Sequence, residues 1–76
     1  MIDSGQAVEA LGLATQLVQM DPNRWEGYAL SGETAQKLND YSLAADMYRR
    51  AIPKAPADMR ARLEEQTRRA QEKVGK

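Results

Sequence analysis

The 76-residue sequence contains no cysteine, no histidine and no phenylalanine. Without cysteine, the chain can form neither a disulfide nor a thiolate metal site. Without histidine, it lacks the most common general base and the most common metal ligand. The sequence also shows no phosphate-binding loop, no metal-ligand spacing and no nucleophile-elbow motif. These absences predict a protein that is not an enzyme and that uses no cofactor.

Long hydrophobic runs are missing as well. No apolar stretch approaches the roughly 20 residues that a helix needs to cross a bilayer. The N-terminus does not combine basic residues with an apolar segment and a small-residue cleavage site. We therefore expect a soluble chain with neither a membrane span nor a signal peptide. The sequence leaves its compartment open.

Charge is balanced overall but unevenly distributed. Residues 1–46 carry seven acidic and two basic residues, a net charge of −5, whereas residues 47–76 carry nine basic and four acidic residues, a net charge of +5. Such a polarised chain can attract its own copies head to tail or an oppositely charged partner. The simpler interpretation is that a terminal helix is rich in arginine.

Nucleic-acid binding is not expected, although the dipeptides Arg49-Arg50 and Arg68-Arg69 are basic. A binding stripe usually accompanies a strongly basic domain, whereas the sequence pI is about 6.2. Glu64 and Glu65 precede the second dipeptide by four residues, a spacing that forms ion pairs on exposed helices. A solvated helix face explains this charge pattern.

Helical periodicity runs along the chain and is interrupted three times, at residues 21–23, 39–40 and 53–56. No segment alternates with the period of two that is typical of a strand. The composition favours good helix formers such as Ala, Leu, Gln, Glu, Lys and Arg. The sequence thus predicts an all-α fold with helices near residues 4–20, 24–38, 41–54 and 57–74.

The sequence also resembles itself at a shift of 34 residues. The matching pairs are Pro22 with Pro56, Ala10 with Ala44, Val18 with Ile52, Leu13 with Met47 and Gly5 with Asn39. Asn can replace Gly in a left-handed turn, which makes the last pair physically sensible. A repeat of this length, built from a helix pair, is typical of helical solenoids.

The stretch YALSGETAQKLNDYSLAADMYRRAIPKAP, residues 28–56, resembles a tetratricopeptide repeat, whose pattern is W-x2-L-G-x2-Y, then A-x3-F, then P. Ser31 and Ala35 depart from the Leu and the second aromatic residue of that pattern. The positions that match the family signature are Tyr28, Gly32, Ala44, Tyr48, Ala51 and Pro56.

The resemblance implies one domain over residues 1–76, in which about four helices stack as antiparallel pairs in a short right-handed solenoid. Residues 5–24 would be the second half of one repeat, residues 25–58 a full repeat, and residues 59–76 a polar capping helix. We expect the chain to be the C-terminal end of a longer repeat protein.

Alternating small and large side chains explain how such helices would pack. Ala44, Tyr48 and Ala51 lie on one helix face. The two alanines allow close approach of neighbouring helices while the tyrosine fills the space between them. Gly32 has the same role on the partner helix, and Pro56 forces the chain to turn because it lacks a backbone N–H.

The first predicted helix, QAVEALGLATQLVQM at residues 6–20, is apolar around most of its circumference. Such a helix is normally buried on more than one side. In the family it would pack against the first helix of its own pair, which this chain lacks. Excision from a longer protein, association between copies, and cover by an apolar peptide or partner helix all fit.

The resemblance further implies a groove that holds a peptide or helix of another protein. Trp25 is either an interface anchor or a staple against the preceding helix, which the sequence favours. The family's carboxylate-clamp subgroup needs Lys, Asn and Arg here, so a receptor for chaperone tails is not expected. The implied groove residues are Glu26, Ala29, Leu30, Glu33, Gln36, Lys37, Arg60, Leu63 and Thr67.

The sequence therefore predicts a scaffold for protein–protein interaction with a partner of unknown identity. The alternative is a structural element that forms homo-oligomers through its uncovered first helix. The size of the protein at different concentrations would distinguish the two.

Overall fold

The structure is a computed structural model that describes residues 4–74. These residues form four α-helices and a short 3-10 helix, with no strand in this range. The elements are α1 (Ser4–Met20), α2 (Trp25–Lys37), α3 (Tyr41–Ala51), the 3-10 helix (Ile52–Lys54) and α4 (Ala57–Val74). The all-α prediction is confirmed. Residues 1–3 and 75–76 of the expected domain lie outside the described residues.

The turn between α2 and α3 follows directly from its sequence. Asn39 adopts a left-handed conformation with φ 62°. The N–H of Asp40 donates to the carbonyl of Ala35 at 2.9 Å and that of Asn39 to Gln36 at 3.0 Å, which is the Schellman pattern that closes a helix. The Asp40 carboxylate then accepts from the N–H of Leu43 and starts α3.

The proposed correspondence of Gly5 with Asn39 does not extend to conformation. Gly5 lies inside α1, and no glycine in residues 4–74 has a positive φ. Only Asn39 therefore occupies the left-handed turn that the 34-residue match predicts.

Helix α3 ends earlier than expected. The α-helix stops at Ala51, and Pro53 lies within the 3-10 helix that replaces its predicted last turn. Ala55 is extended, with φ −83° and ψ 153°, as favoured before a proline. The Pro56 carbonyl accepts from the N–H groups of Met59 and Arg60 at 2.9 and 3.2 Å. Pro56 therefore separates α3 from α4, as predicted.

Consecutive helices pack on one another: α1 on α2, α2 on α3, and α3 on α4. Their core is built mainly from small side chains, which allow close approach of the helix backbones. Three buried hydroxyl residues, Ser31, Thr34 and Thr67, each donate to the carbonyl four residues earlier at 2.8 Å. The buried apolar residues are Ala7, Ala14, Tyr28, Ala35, Ala44, Ala45, Tyr48, Ala51, Ala55, Leu63 and Ala70.

Two glycines on α2 mark the points of closest approach. A Cβ on Gly32 would lie 3.0 Å from two ring carbons of Tyr48, on α3. A Cβ on Gly27 would lie 3.1 Å from Cγ2 of Val18, on α1. The sequence predicted the first approach and missed the second.

We expect the change Ala44→Leu to lower the free energy of unfolding by about 1–3 kcal/mol, because Ala44 is fully buried in the packed core and three added carbons must displace their neighbours. A thermal melt would show a fall in Tm of about 4–8 °C for each kcal/mol lost. The matched control is Ala61→Leu, at an exposed position of α4. Equal melting of the two variants would contradict the packing described above.

Candidate functional site

An open groove of about 490 Å³ runs between α2 and α4, with α3 beneath it. On α2 its lining residues are three or four positions apart and share one helix face. Those of α4 follow a similar spacing. The lining residues are Trp25, Ala29, Glu33 and Gln36 from α2, Tyr48 from α3, and Met59, Arg62, Leu63, Gln66 and Arg69 from α4.

Tyr48 forms the floor of this groove. Its ring packs against Gly32 and is only 5% exposed. Its hydroxyl lies 3.2 Å from Oε1 of Gln36, to which it donates a hydrogen bond. Burial raises the pKa of the Tyr48 hydroxyl, and the negative charge of Glu33 raises it further. The Tyr48 hydroxyl therefore stays protonated at neutral pH.

The two walls of the groove carry opposite charges. Glu33 lies on the α2 wall, and Arg62 and Arg69 lie on the α4 wall. Arg69 already pairs with Glu65 at 3.0 Å. Within residues 4–74, neither Glu33 nor Arg62 belongs to an ion pair. The groove thus offers one carboxylate and one guanidinium group to a ligand.

An apolar patch accompanies these charges at the Trp25 end of the groove. Trp25 and Met59 are partly buried and pack against the core, next to the buried Leu63. Trp25 thus combines packing against the core with a place in the groove lining. Aromatic anchors beside polar groups are typical of sites that bind other proteins.

The structure brings only some of the predicted residues into the groove. Trp25, Ala29, Glu33, Gln36 and Leu63 line it. Four of these residues belong to α2, and Leu63 belongs to α4.

Five predicted residues are not part of the groove lining. Glu26 lies in a crevice between α1 and α2, while Leu30 and Lys37 are on the exposed surface of α2. Arg60 donates from Nε to the carbonyl of Ala55 at 3.0 Å and so holds the turn before α4. Thr67 is buried and bonds to its own helix.

Sequence reasoning missed Tyr48, Met59, Arg62, Gln66 and Arg69 as lining residues. One signal was available: the 34-residue shift carries Trp25 onto Met59. The sequence analysis treated the remaining α4 residues as part of a polar capping helix. The rotation of α4 about its axis buries Leu63, Thr67 and Ala70 and leaves Arg62 and Gln66 beside the groove.

A second depression, of about 510 Å³, lies between α3 and the end of α4. Its acidic groups are already engaged, because Asp40 caps α3 and Asp46 pairs with Arg50 at 3.1 Å. Its lining contains no aromatic residue. It therefore provides fewer unused groups than the groove between α2 and α4.

The described residues offer neither a metal site nor a membrane-spanning helix. Residues 4–74 contain no cluster of three or more acidic side chains placed to hold a metal ion. None of the four helices has the length and hydrophobicity required to span a membrane.

Comparison of the chain with family models, with curated proteins and with solved structures gives no match.

Proposed function

We propose that this chain is a protein-interaction module that holds a segment of a partner protein in the groove between α2 and α4. The tetratricopeptide resemblance and a short solenoid arrangement of the helices belong to the same proposal. It is supported by the pairing of successive helices and by the close approach of Gly32 on α2 to Tyr48 on α3, two residues that match the family pattern.

The observation that carries the proposal is the composition of the groove. It combines a partly buried tryptophan with two charged groups, Glu33 and Arg62, that lack ion-pair partners within residues 4–74. A matching segment would place an apolar side chain against Trp25 and Met59 and a carboxylate against Arg62. A charge-assisted hydrogen bond to Arg62 would favour segments that carry a carboxylate.

Trp25 provides a direct test because it is the one tryptophan of the chain. An array of synthetic, tryptophan-free peptides that combine an apolar residue with acidic residues should contain sequences that bind. Binding should change the fluorescence of Trp25, because that side chain lies in the groove. Peptides that bind without changing this fluorescence, or an array with no binder, would count against the proposal.

The change Arg62→Glu is expected to weaken peptide binding about tenfold or more, since it replaces an attraction by a repulsion in the groove. Titration followed by Trp25 fluorescence measures the loss. Arg68→Glu is the matched control, because Arg68 lies on another face of α4 with Ala61, Glu64 and Glu65. Similar losses in both variants would indicate a general charge effect rather than a site.

A further inference from the structure

Helix α1 carries an exposed apolar stripe formed by Leu13, Leu17 and Met20. These side chains are 58%, 49% and 81% exposed. They lie four and three residues apart and so share one helix face. Leu17 and Met20 share a crevice with Glu26 of α2. One helical turn after Glu26, α2 carries Leu30, whose side chain is 41% exposed. The stripe therefore continues towards α2.

The same face is covered in the other helix pair. At the 34-residue shift, Leu13 corresponds to Met47 and Leu17 to Ala51. On α3, Ala51 is fully buried and Met47 packs against the core. The equivalent positions of α1 are exposed although they carry leucines. A helix that lies on this stripe would restore the burial that α3 already has.

The charge of α1 determines what kind of helix can cover it. Glu9 is the one charged residue among the 17 residues of this helix. A charged surface placed on such a stripe would lose water without gaining ionic partners, which is costly. The outer face of α4 presents Glu64, Glu65 and Arg68 and is therefore a poor match. The uncharged stripe of a second copy is a good one.

We infer that two copies of this chain associate by antiparallel packing of α1 against α1 across a two-fold axis. The axis lies between Leu13 and Leu17, so that Leu13 of each copy packs against Leu17 of the other. The two Glu9 side chains then lie about 18 Å apart along the helix axes, given a rise of 1.5 Å per residue. This exceeds the Debye length of about 8 Å at physiological salt, so their repulsion is weak. Parallel packing would bring them together.

The dimer is expected to be weak. Helix α1 has 17 residues and is about 25 Å long and about 10 Å wide. One face of such a helix is smaller than the roughly 800 Å² that each partner buries in a stable interface. We therefore expect dissociation in the high-micromolar range. A two-fold contact uses the same surface on both copies and stops at the dimer.

Sedimentation of the whole chain from micromolar to millimolar concentration tests the inference. The mass should rise from 8.5 kDa towards twice that value and no further. Leu13→Glu should raise the dimer dissociation constant about tenfold or more, because it buries a charge in the apolar contact. The matched control is Val8→Glu, at a residue of the same helix that is 59% exposed but points away from the stripe. The Val8→Glu variant should dimerise as the parent chain does.

Each other result overturns the inference. A monomer at every concentration excludes the dimer, and a mass that grows beyond two copies indicates a head-to-tail contact instead. If Leu13→Glu and Val8→Glu weaken the dimer equally, the contact between copies does not lie on the stripe. If circular dichroism shows that Leu13→Glu has lost helix, Met20→Glu decides, because an 81% exposed side chain at the helix end can change without disturbing the fold.

Discussion

Tyr48→Ala is expected to lower the free energy of unfolding by about 3–5 kcal/mol, the range observed when a buried aromatic side chain is truncated. Tyr48 is 5% exposed and packs between α2 and α3 with its ring against Gly32. A cavity at this point removes the contact of the Tyr48 ring with α2. A protein of 76 residues has only roughly 4–11 kcal/mol of stability in total. The expected loss is therefore a large fraction of the total stability, and it would unfold a chain at the lower end of this range.

Urea denaturation followed by far-UV circular dichroism measures this loss. Tyr48→Phe is the control, because it keeps the ring and removes only the hydroxyl that donates to Gln36. We expect it to cost about 1 kcal/mol, the net contribution of a typical hydrogen bond. A loss below about 1 kcal/mol for Tyr48→Ala would show that the ring is not a central packing element.

Gly32→Leu should have the second largest effect, a loss near the upper end of the roughly 1–3 kcal/mol that overpacking costs. The first added carbon alone would lie 3.0 Å from Tyr48 ring carbons, and three further carbons follow it. The better helix propensity of leucine returns only about 0.5–1 kcal/mol. The helix pair must separate to accept the side chain.

Gly12→Leu is the matched control for this change. Gly12 lies within α1, and a Cβ there would meet nothing within 4 Å. The same substitution should therefore stabilise the chain by about 0.5–1 kcal/mol through helix propensity alone. Urea denaturation of both variants in dilute solution compares them. Effects of the same sign would argue against a close approach at Gly32.

Much of the helical framework could be predicted from local sequence. Asn39 and Asp40 close one helix and start the next through their own backbone and side-chain hydrogen bonds. Such signals act within a few residues and need no tertiary contact. Pro53 shows the limit of this reasoning. The sequence predicted that α3 continues to residue 54, whereas its last three residues, which include Pro53, form a 3-10 helix.

The candidate site was less predictable because periodicity tells which residues share a helix face but not which neighbour that face meets. The α2 wall was found, since Ala29, Glu33 and Gln36 lie on a face that the resemblance identified. On α4 the structure differs from the expected groove lining. Thr67, which was expected to line the groove, is buried, and Arg62, which was not, lies beside it. A rotation of α4 by less than half a turn decides between the two arrangements.

Four helices, the breaks between them and an almost uncharged first helix can be derived from local sequence, because they depend on backbone chemistry and on the spacing of apolar residues. Helix packing determines which side of α4 borders the groove, that Gly27 meets Val18, and that Trp25 and Met59 both line the groove. These features depend on the distances and rotations at which helices pack, and small side chains permit more than one such arrangement.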